Sequence, residues 1–308
     1  MVYETFLNQT ASHIHHVLSD RCTVHLEHVR KNNGLVLDGI CIRTPGEPVA
    51  PTIYLNSYYE AYQNGHSLSE IYEWILDAYK SRGSFSNLDI RLFEDFSNLE
   101  DKIIFRFINA RSNQELLKTI PSLPYLDLAV VFCIYLTDDA NTQQMTALIQ
   151  NSHLTIWGVS ISHLKQYAEK NTPHLFPPSI KSLNEVLESF SFDCPVCEPE
   201  EPACGFPFYV LTNQNNLYGS SCMRYPGVLR NFADCLNTDL LILPSSIHEV
   251  LLTADSPDTD YELLSNMVLE INQSEVSVED RLSNQIYRYS RRDDCVSIVS
   301  HGPESVGK

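Results

Sequence analysis

Apolar positions in this chain come in short blocks whose period changes from one block to the next. The densest is TDLLILPSSIHEVLLTA, Thr238–Ala254. Leu240–Leu243 is one continuous apolar run, Ile247–Leu252 a second, and Pro244-Ser245-Ser246 interrupts them. Runs this short, joined by a Pro/Ser link, predict two adjacent buried strands at a domain centre. The link gathers Ser245, Ser246, His248 and Glu249, the densest polar group flanked by core sequence.

The same reading extends along the chain. Residues 1–20 predict an amphipathic helix. Cys22–Val29 and Leu35–Ile42 predict a hairpin through Asn32-Asn33-Gly34, since Asn-Gly accepts positive φ, with a bulge at Asp38-Gly39. From Ser67 to Ser81, the positions Leu68, Ile71, Tyr72, Ile75, Leu76 and Tyr79 form one helical stripe behind a Ser67/Glu70 capping box. KIIFRFIN, Lys102–Asn109, alternates and predicts a strand; Ser112 and Glu115 open a short helix that Pro121 and Pro124 stop. Leu128–Leu136, apolar throughout, predicts a central strand, and Met145–Ile149 its return after a turn at Asp138–Asn141. Helices are expected at 160–170 and 182–190. A hairpin of Phe208–Thr212 with Leu217–Ser220 and a helix over Pro226–Leu236 follow. Thr259–Asn272 predicts a helix with a Thr259/Glu262 capping box, and Gln285–Tyr289 with Cys295–Val299 a last hairpin.

Short links between strands imply antiparallel pairing. The expected class is α+β: antiparallel hairpins alternating with amphipathic helices, the helices packed on a mixed or antiparallel sheet. The expected organisation is an N-terminal α+β subdomain over residues 1–120 and a C-terminal one over 121–292. The second carries a Cys/Pro-rich surface insertion at 191–205, and a terminal strand and tail occupy 293–308.

Charge narrows the partners. With 21 Lys and Arg against 39 Asp and Glu, the net charge is −18. Nucleic-acid binding needs clustered cations, and the densest points here are Arg30-Lys31 and Arg291-Arg292, so no nucleic-acid partner is expected. No apolar run reaches membrane-spanning length, so no membrane partner is expected; a protein partner is left open. The start MVYETFLNQTASHIHH shows no basic segment followed by an apolar one, which points to the cytoplasm. Nine cysteines, several inside apolar runs (Cys41, Cys133, Cys235), fit buried free thiols in a reducing compartment.

The strings PTIYLNSYYEAYQNG, LPYLDLAVVFCIYL, IQNSHLTIWGV, FYVLTNQNNLYGSSCMRYPGVL and DLLILPSSIHEV together resemble a bacterial family catalogued as a domain of unknown function, number 5688. The resemblance spans roughly residues 20–292 and is most specific in its last two strings. It implies a bacterial cytosolic protein and supplies no catalytic residue. Segment 191–205 departs from the family pattern and reads as an insertion.

Candidate chemistry is thin. Ser245 or Ser246 with His248 would supply a nucleophile and a base, but there is no G-x-S-x-G elbow, and strand alternation would place Ser246 and His248 on one face with Glu249 on the other. The bland reading is a strand connection whose serines satisfy local backbone. Asn151 and His153, just after a strand, with His248 and Glu249, are candidates to line a pocket; Asn151 is equally suited to a helix cap. Cys194, Cys197 and Cys204 begin like a zinc site, yet no second C-x-x-C follows, so neither metal nor cofactor is expected. H-E-x-x-H, P-loop and G-x-G-x-x-G motifs are absent. A non-catalytic binding or interaction protein is therefore expected, with a hydrolase using Ser245 or Ser246 and His248 as the alternative.

Overall fold

The computed structural model describes residues 1–18, 22–46, 50, 52–81, 90–137, 144–190 and 207–300. The fold is α+β with antiparallel sheets. Contacts divide the chain into two compact units, 1–98 with 136–145, and 99–135 with 146–308.

In the first unit, α1 (Tyr3–Leu18) precedes a sheet of β1 (Thr23–Arg30), β2 (Val36–Arg43) and β3 (Thr52–Tyr54), followed by α2 (Asn56–Gln63) and α3 (Leu68–Ser81). The expected hairpin forms: Asn33 takes φ 57° in the turn, and β1 pairs β2 without a break from Thr23↔Arg43 to Arg30↔Val36. There is thus no bulge at Asp38-Gly39. Gly39 is needed instead for close approach of β3, because a Cβ there would meet Thr52 Cγ2 at 2.7 Å and the Ile53 carbonyl oxygen at 2.9 Å. Phe6, Ile14, Ile40, Ile42, Leu55, Ile71 and Ile75 form the sealed core. The Ser67/Glu70 box caps α3: the Ser67 N–H donates to Glu70 Oε2 at 2.8 Å and the Glu70 N–H to Ser67 Oγ at 3.3 Å.

The second unit begins with β4 (Ile103–Asn109), α4 (Gln114–Leu117), β5 (Ser122–Tyr125), β6 (Leu128–Thr137) and β7 (Gln144–Leu148); the division assigns the last two residues of β6 and the first two of β7 to the first unit. β6 is central in this small sheet, paired with β4, β5 and β7, which is why Leu128–Leu136 is apolar on both faces. α5 (Asn151–Trp157) and α6 (Ile161–Leu175) follow. α6 serves the edge of β4: Thr172 Oγ1 accepts the Phe105 N–H at 3.0 Å, and Asn171 Nδ2 donates to the Ile103 carbonyl at 3.1 Å. Backbone groups that a further strand would satisfy are met by buried side chains.

A six-stranded sheet, in the order β13-β12-β10-β11-β9-β8, forms the rest. Its strands are β8 (Pro178–Ser182), β9 (Tyr209–Asn213), β10 (Leu240–Leu243), β11 (Val250–Ala254), β12 (Ile286–Ser290) and β13 (Cys295–Ser300); α7 (Leu183–Phe190), α8 (Val228–Leu236) and α9 (Tyr261–Ser274) interleave them. β10 and β11 pair antiparallel, Leu240↔Ala254 to Leu243↔Leu251, in the middle of the sheet as expected. On one face Leu241 and Leu243 pack with Phe208 and Ile286 under Leu264 and Val268 of α9. Leu240, Ile242, Leu211, Val250, Leu252 and Tyr287 are all sealed as well. Tyr287 donates to Asp127 Oδ1 at 2.5 Å, and Ser283 Oγ to Asp127 Oδ2 at 2.6 Å, tying the β5–β6 turn to the larger sheet.

Several expectations need correction. Leu217–Ser220 does not return as a strand; it turns into a 3-10 helix over Gly219–Arg224, and β9 pairs with β8 and β11. The cap of α9 is Asp260, whose carboxylate accepts the Leu263 N–H at 3.0 Å, while Thr259 Oγ1 accepts the Ser256 N–H one turn earlier. Cys41 and Cys133 are buried, but α8 exposes Cys235. Residues 138–143 and 191–206, with the expected turn, the insertion and Cys194, Cys197 and Cys204, lie outside the described residues.

Candidate functional site

The Pro244–Glu249 link is stitched to residues 280–283. The Ile247 N–H donates to the Asp280 carbonyl at 2.8 Å, the Ser283 N–H to the Pro244 carbonyl at 3.0 Å, and Ser246 forms a β-bridge with Arg281. Ser246 and His248 are therefore in a connection, not on one face of a strand. Ser246 is 5% exposed, and its Oγ accepts the His248 N–H at 2.9 Å. The link brings the two residues together through backbone. The imidazole turns elsewhere: Nδ1 accepts the Tyr218 N–H at 3.4 Å, Nε2 lies 3.4 Å from Asp280 Oδ1, and the ring stacks on Tyr218 at 5.9 Å between centroids. Ser245 Oγ has no hydrogen bond among the described residues. A serine nucleophile needs a ring nitrogen within hydrogen-bond reach, and neither serine has such a bond to His248.

Thr212 and Ser220 fix the link from beneath. Thr212 Oγ1 donates to the His248 carbonyl at 2.8 Å, and Ser220 Oγ to the Ile247 carbonyl at 2.7 Å. Gly219 lies against the same groups; a Cβ there would stand 2.2 Å from Thr212 Oγ1 and 2.3 Å from the His248 carbonyl oxygen. Burial pushes the neighbouring Cys222 thiol up to about 12, so it is a neutral donor, bonded to the Thr212 carbonyl at 3.2 Å.

Glu249 leads from the link into a groove of about 840 Å³ beside α7. Alternation builds it. Ser179 and Lys181 of β8, Val210 and Thr212 of β9, and Leu251 of β11 point to one face, with Lys181↔Val210 and Val210↔Leu251 directly opposed across strands. α9 covers this face further along the sheet; here α7 closes one side with Leu183 and Val186. The turn Asn213–Asn216 forms an end, held because Asn213 Oδ1 accepts the N–H groups of Asn215 and Leu217. A Ser182/Glu185 capping box starts α7 at the end of β8, with the Ser182 N–H donating to Glu185 Oε2 at 2.7 Å. The result is an aliphatic floor with hydroxyl, amide, one ammonium and one carboxylate groups around it. Such a lining suits recognition of a partly apolar molecule.

The other pocket-lining candidates lie outside this groove. Asn151 opens α5, its Nδ2 donating to the Lys118 carbonyl at 3.1 Å. His153 Nδ1 accepts the Gln150 N–H at 3.1 Å and its ring packs on Trp157, so it closes the first turn of α5; burial lowers its pKa. His248 faces Tyr218 and Asp280, as above. No group of three or more His, Cys, Asp or Glu side chains suited to a metal occurs among the described residues. None of their helices is long and apolar enough to cross a membrane.

Two constellations escaped the sequence reading. Asp38, read as part of a bulge, bonds the His28 imidazole and the Tyr3 hydroxyl, and Asn56 donates to Tyr3 Oη at 2.9 Å; burial and then Asp38 push the Tyr3 phenol up. Arg106, in the middle of KIIFRFIN, projects into an otherwise apolar sheet face, with the Tyr218 ring 4.7 Å from its guanidinium. The signal for Arg106 was present: a cation at a core-facing position of an alternating strand.

No curated protein and no solved structure matches the chain. A family of unknown function, DUF5688, matches residues 3–291, and the chain belongs to that family.

Proposed function

We propose that this chain is a non-catalytic binding protein of the bacterial cytosol that receives a partly apolar small molecule or peptide segment in the groove beside α7. The observation carrying this reading is the groove on the sheet face, where, among the described residues, Val210 and Leu251 form a floor between Lys181 and Glu249. Among the described residues, the face that α9 covers elsewhere is open here and rimmed with hydrogen-bonding groups. The bacterial cytosol rests on the family resemblance and on cysteines that read as free thiols in a reducing compartment. The serine-hydrolase alternative draws no support from the link, because Ser246 Oγ is engaged with the His248 N–H and both ring nitrogens face other groups.

The test is capture from an extract of the source organism on the wild-type protein and on Val186→Trp, which projects an indole into the groove. Mass spectrometry of the eluates is expected to show a small molecule or peptide on the wild type and its loss on the variant. Equal recovery on both proteins refutes the groove as the site.

A further inference from the structure

The groove beside α7 is lined by two charged side chains of opposite sign. Lys181 of β8 and Glu249, the residue before β11, both border it, and among the described residues neither side chain has an ion pair or a hydrogen bond. Elsewhere in the same sheet charges are paired: Arg288 holds Asp239 and Asp255, and Arg291 holds Asp234.

Register sets the two groove charges apart. Lys181 opposes Val210, and Val210 opposes Leu251, so these three form one row across the sheet. Ser179 opposes Thr212 in the neighbouring row. Glu249 extends that row, because it precedes Val250, which opposes Leu211. Lys181 and Glu249 therefore occupy opposite corners of the floor, two strands apart and two residues along. Strands lie about 4.8 Å apart and rise about 3.4 Å per residue, which puts the two Cα atoms about 12 Å from each other. Between them the floor is Val210 and Leu251, and α7 adds Leu183 and Val186 as a wall.

This arrangement selects a ligand by its charges and its length. A molecule with one charge would leave the opposite group of the groove partly desolvated and unpaired, which is unfavourable. A molecule cationic at one end, anionic at the other and apolar between them meets each group with its complement. A free amino acid is too short, since both its charged groups sit on one Cα. An extended chain spans about 3.3–3.6 Å per residue, so about three residues reach about 10 Å, close to the span between side chains that stand up from the sheet. Ser179 and Asn216 also line the groove, and their hydroxyl and amide suit the peptide groups of such a chain. We propose that the groove binds a short peptide with both termini free, about three residues long and apolar in the middle, its ammonium at Glu249 and its carboxylate at Lys181. The proposal rests on the reading of the groove as the binding site and narrows it to one class of ligand.

The experiment is calorimetric titration of the purified protein with the tripeptides Ala-Val-Ala, Ala-Ile-Ala, Ala-Leu-Ala and Ala-Phe-Ala, each with free termini, N-acetylated or C-amidated. Methyl NMR of the same mixtures reports where they bind. At least one free peptide is expected to bind and to shift the methyls of Val210 and Leu251, and either cap weakens that binding about tenfold. Lys181→Gln makes the free and amidated forms bind alike and keeps the preference against the acetylated form; Glu249→Gln does the reverse. Because neither side chain bonds within the protein, both variants keep the fold, which their methyl spectra check. Capped peptides that bind as tightly as free ones, or variants in which both preferences persist, overturn the proposal and leave the groove standing, provided its methyls shift. Failure of all the free peptides to bind also overturns it, while loss of the captured ligand on Val186→Trp decides separately whether the groove is the site.

Discussion

Gly219→Ala perturbs the chain by one methyl group at the place where three segments meet. A Cβ there would stand 2.2 Å from Thr212 Oγ1, 2.3 Å from the His248 carbonyl oxygen and 2.8 Å from Thr212 Cα. Two of these three atoms are backbone, so rotating a side chain cannot relieve the clash. The link between β10 and β11 must move away from β9, and the Thr212 Oγ1 bond to the His248 carbonyl, 2.8 Å long, is the first to break. Overpacking a tight site costs about 1–3 kcal/mol, and breaking a buried hydrogen bond about 1 kcal/mol more. Restricting the unfolded chain returns about 0.4–1 kcal/mol. The net expectation is a destabilisation of about 2–3 kcal/mol by these principles, read by urea unfolding at 25 °C as a lower midpoint with an unchanged slope. Thr212→Ala in the same background removes one of the clashing atoms and should recover part of the stability, a coupling that a double-mutant cycle isolates. A destabilisation below about 0.5 kcal/mol would refute the claim that the three segments are locked together here.

How much of this was legible follows from what each element depends on. β10 and β6 are buried on both faces and β11 along most of its length, so continuous apolar runs announced them. α3 carries its own stripe and cap, and the first hairpin carries an Asn-Gly turn; both are local signals. β8 was missed because Pro177-Pro178 reads as a breaker, although Pro178 is only the first residue of an edge strand, where the missing N–H is tolerated. Leu217–Ser220 reads as a strand by composition, but Asn213 closes the turn at its own side chain and directs the chain into the 3-10 helix. Of the groove only Glu249 was anticipated. Its other residues come from β8, β9, β11 and α7, and a cross-strand face exists only once the register is set. Ser246 looked chemical because sequence shows the hydroxyl beside a histidine; the backbone donor that occupies it belongs to the fold.

Further outcomes follow from burial and protonation. Ile242→Ala, at a position with no exposure, should cost about 2–5 kcal/mol, whereas Leu251→Ala, part of the open groove floor, should cost clearly less, both read by chemical denaturation. Ser246→Ala should cost about 1–2 kcal/mol, because the His248 N–H loses its acceptor; no change in stability would mean that this bond contributes nothing to the link. For His153, burial lowers the folded pKa below the ordinary value of about 6.5. The unfolded chain therefore takes up the proton first as pH falls, so stability is full above about pH 6.5 and declines below it, through the folded pKa. His153→Gln keeps an acceptor for the Gln150 N–H and should flatten that acid limb; an identical pH profile in variant and wild type would contradict the assignment.

The groove beside α7 is the central claim, and methyl NMR of the wild-type protein during addition of its captured ligand tests it most directly. The account predicts shifts concentrated on the methyl groups of Leu183, Val186, Val210 and Leu251, with the remaining core methyls unmoved. Shifts confined to residues away from these four, with the groove methyls unchanged, would contradict it.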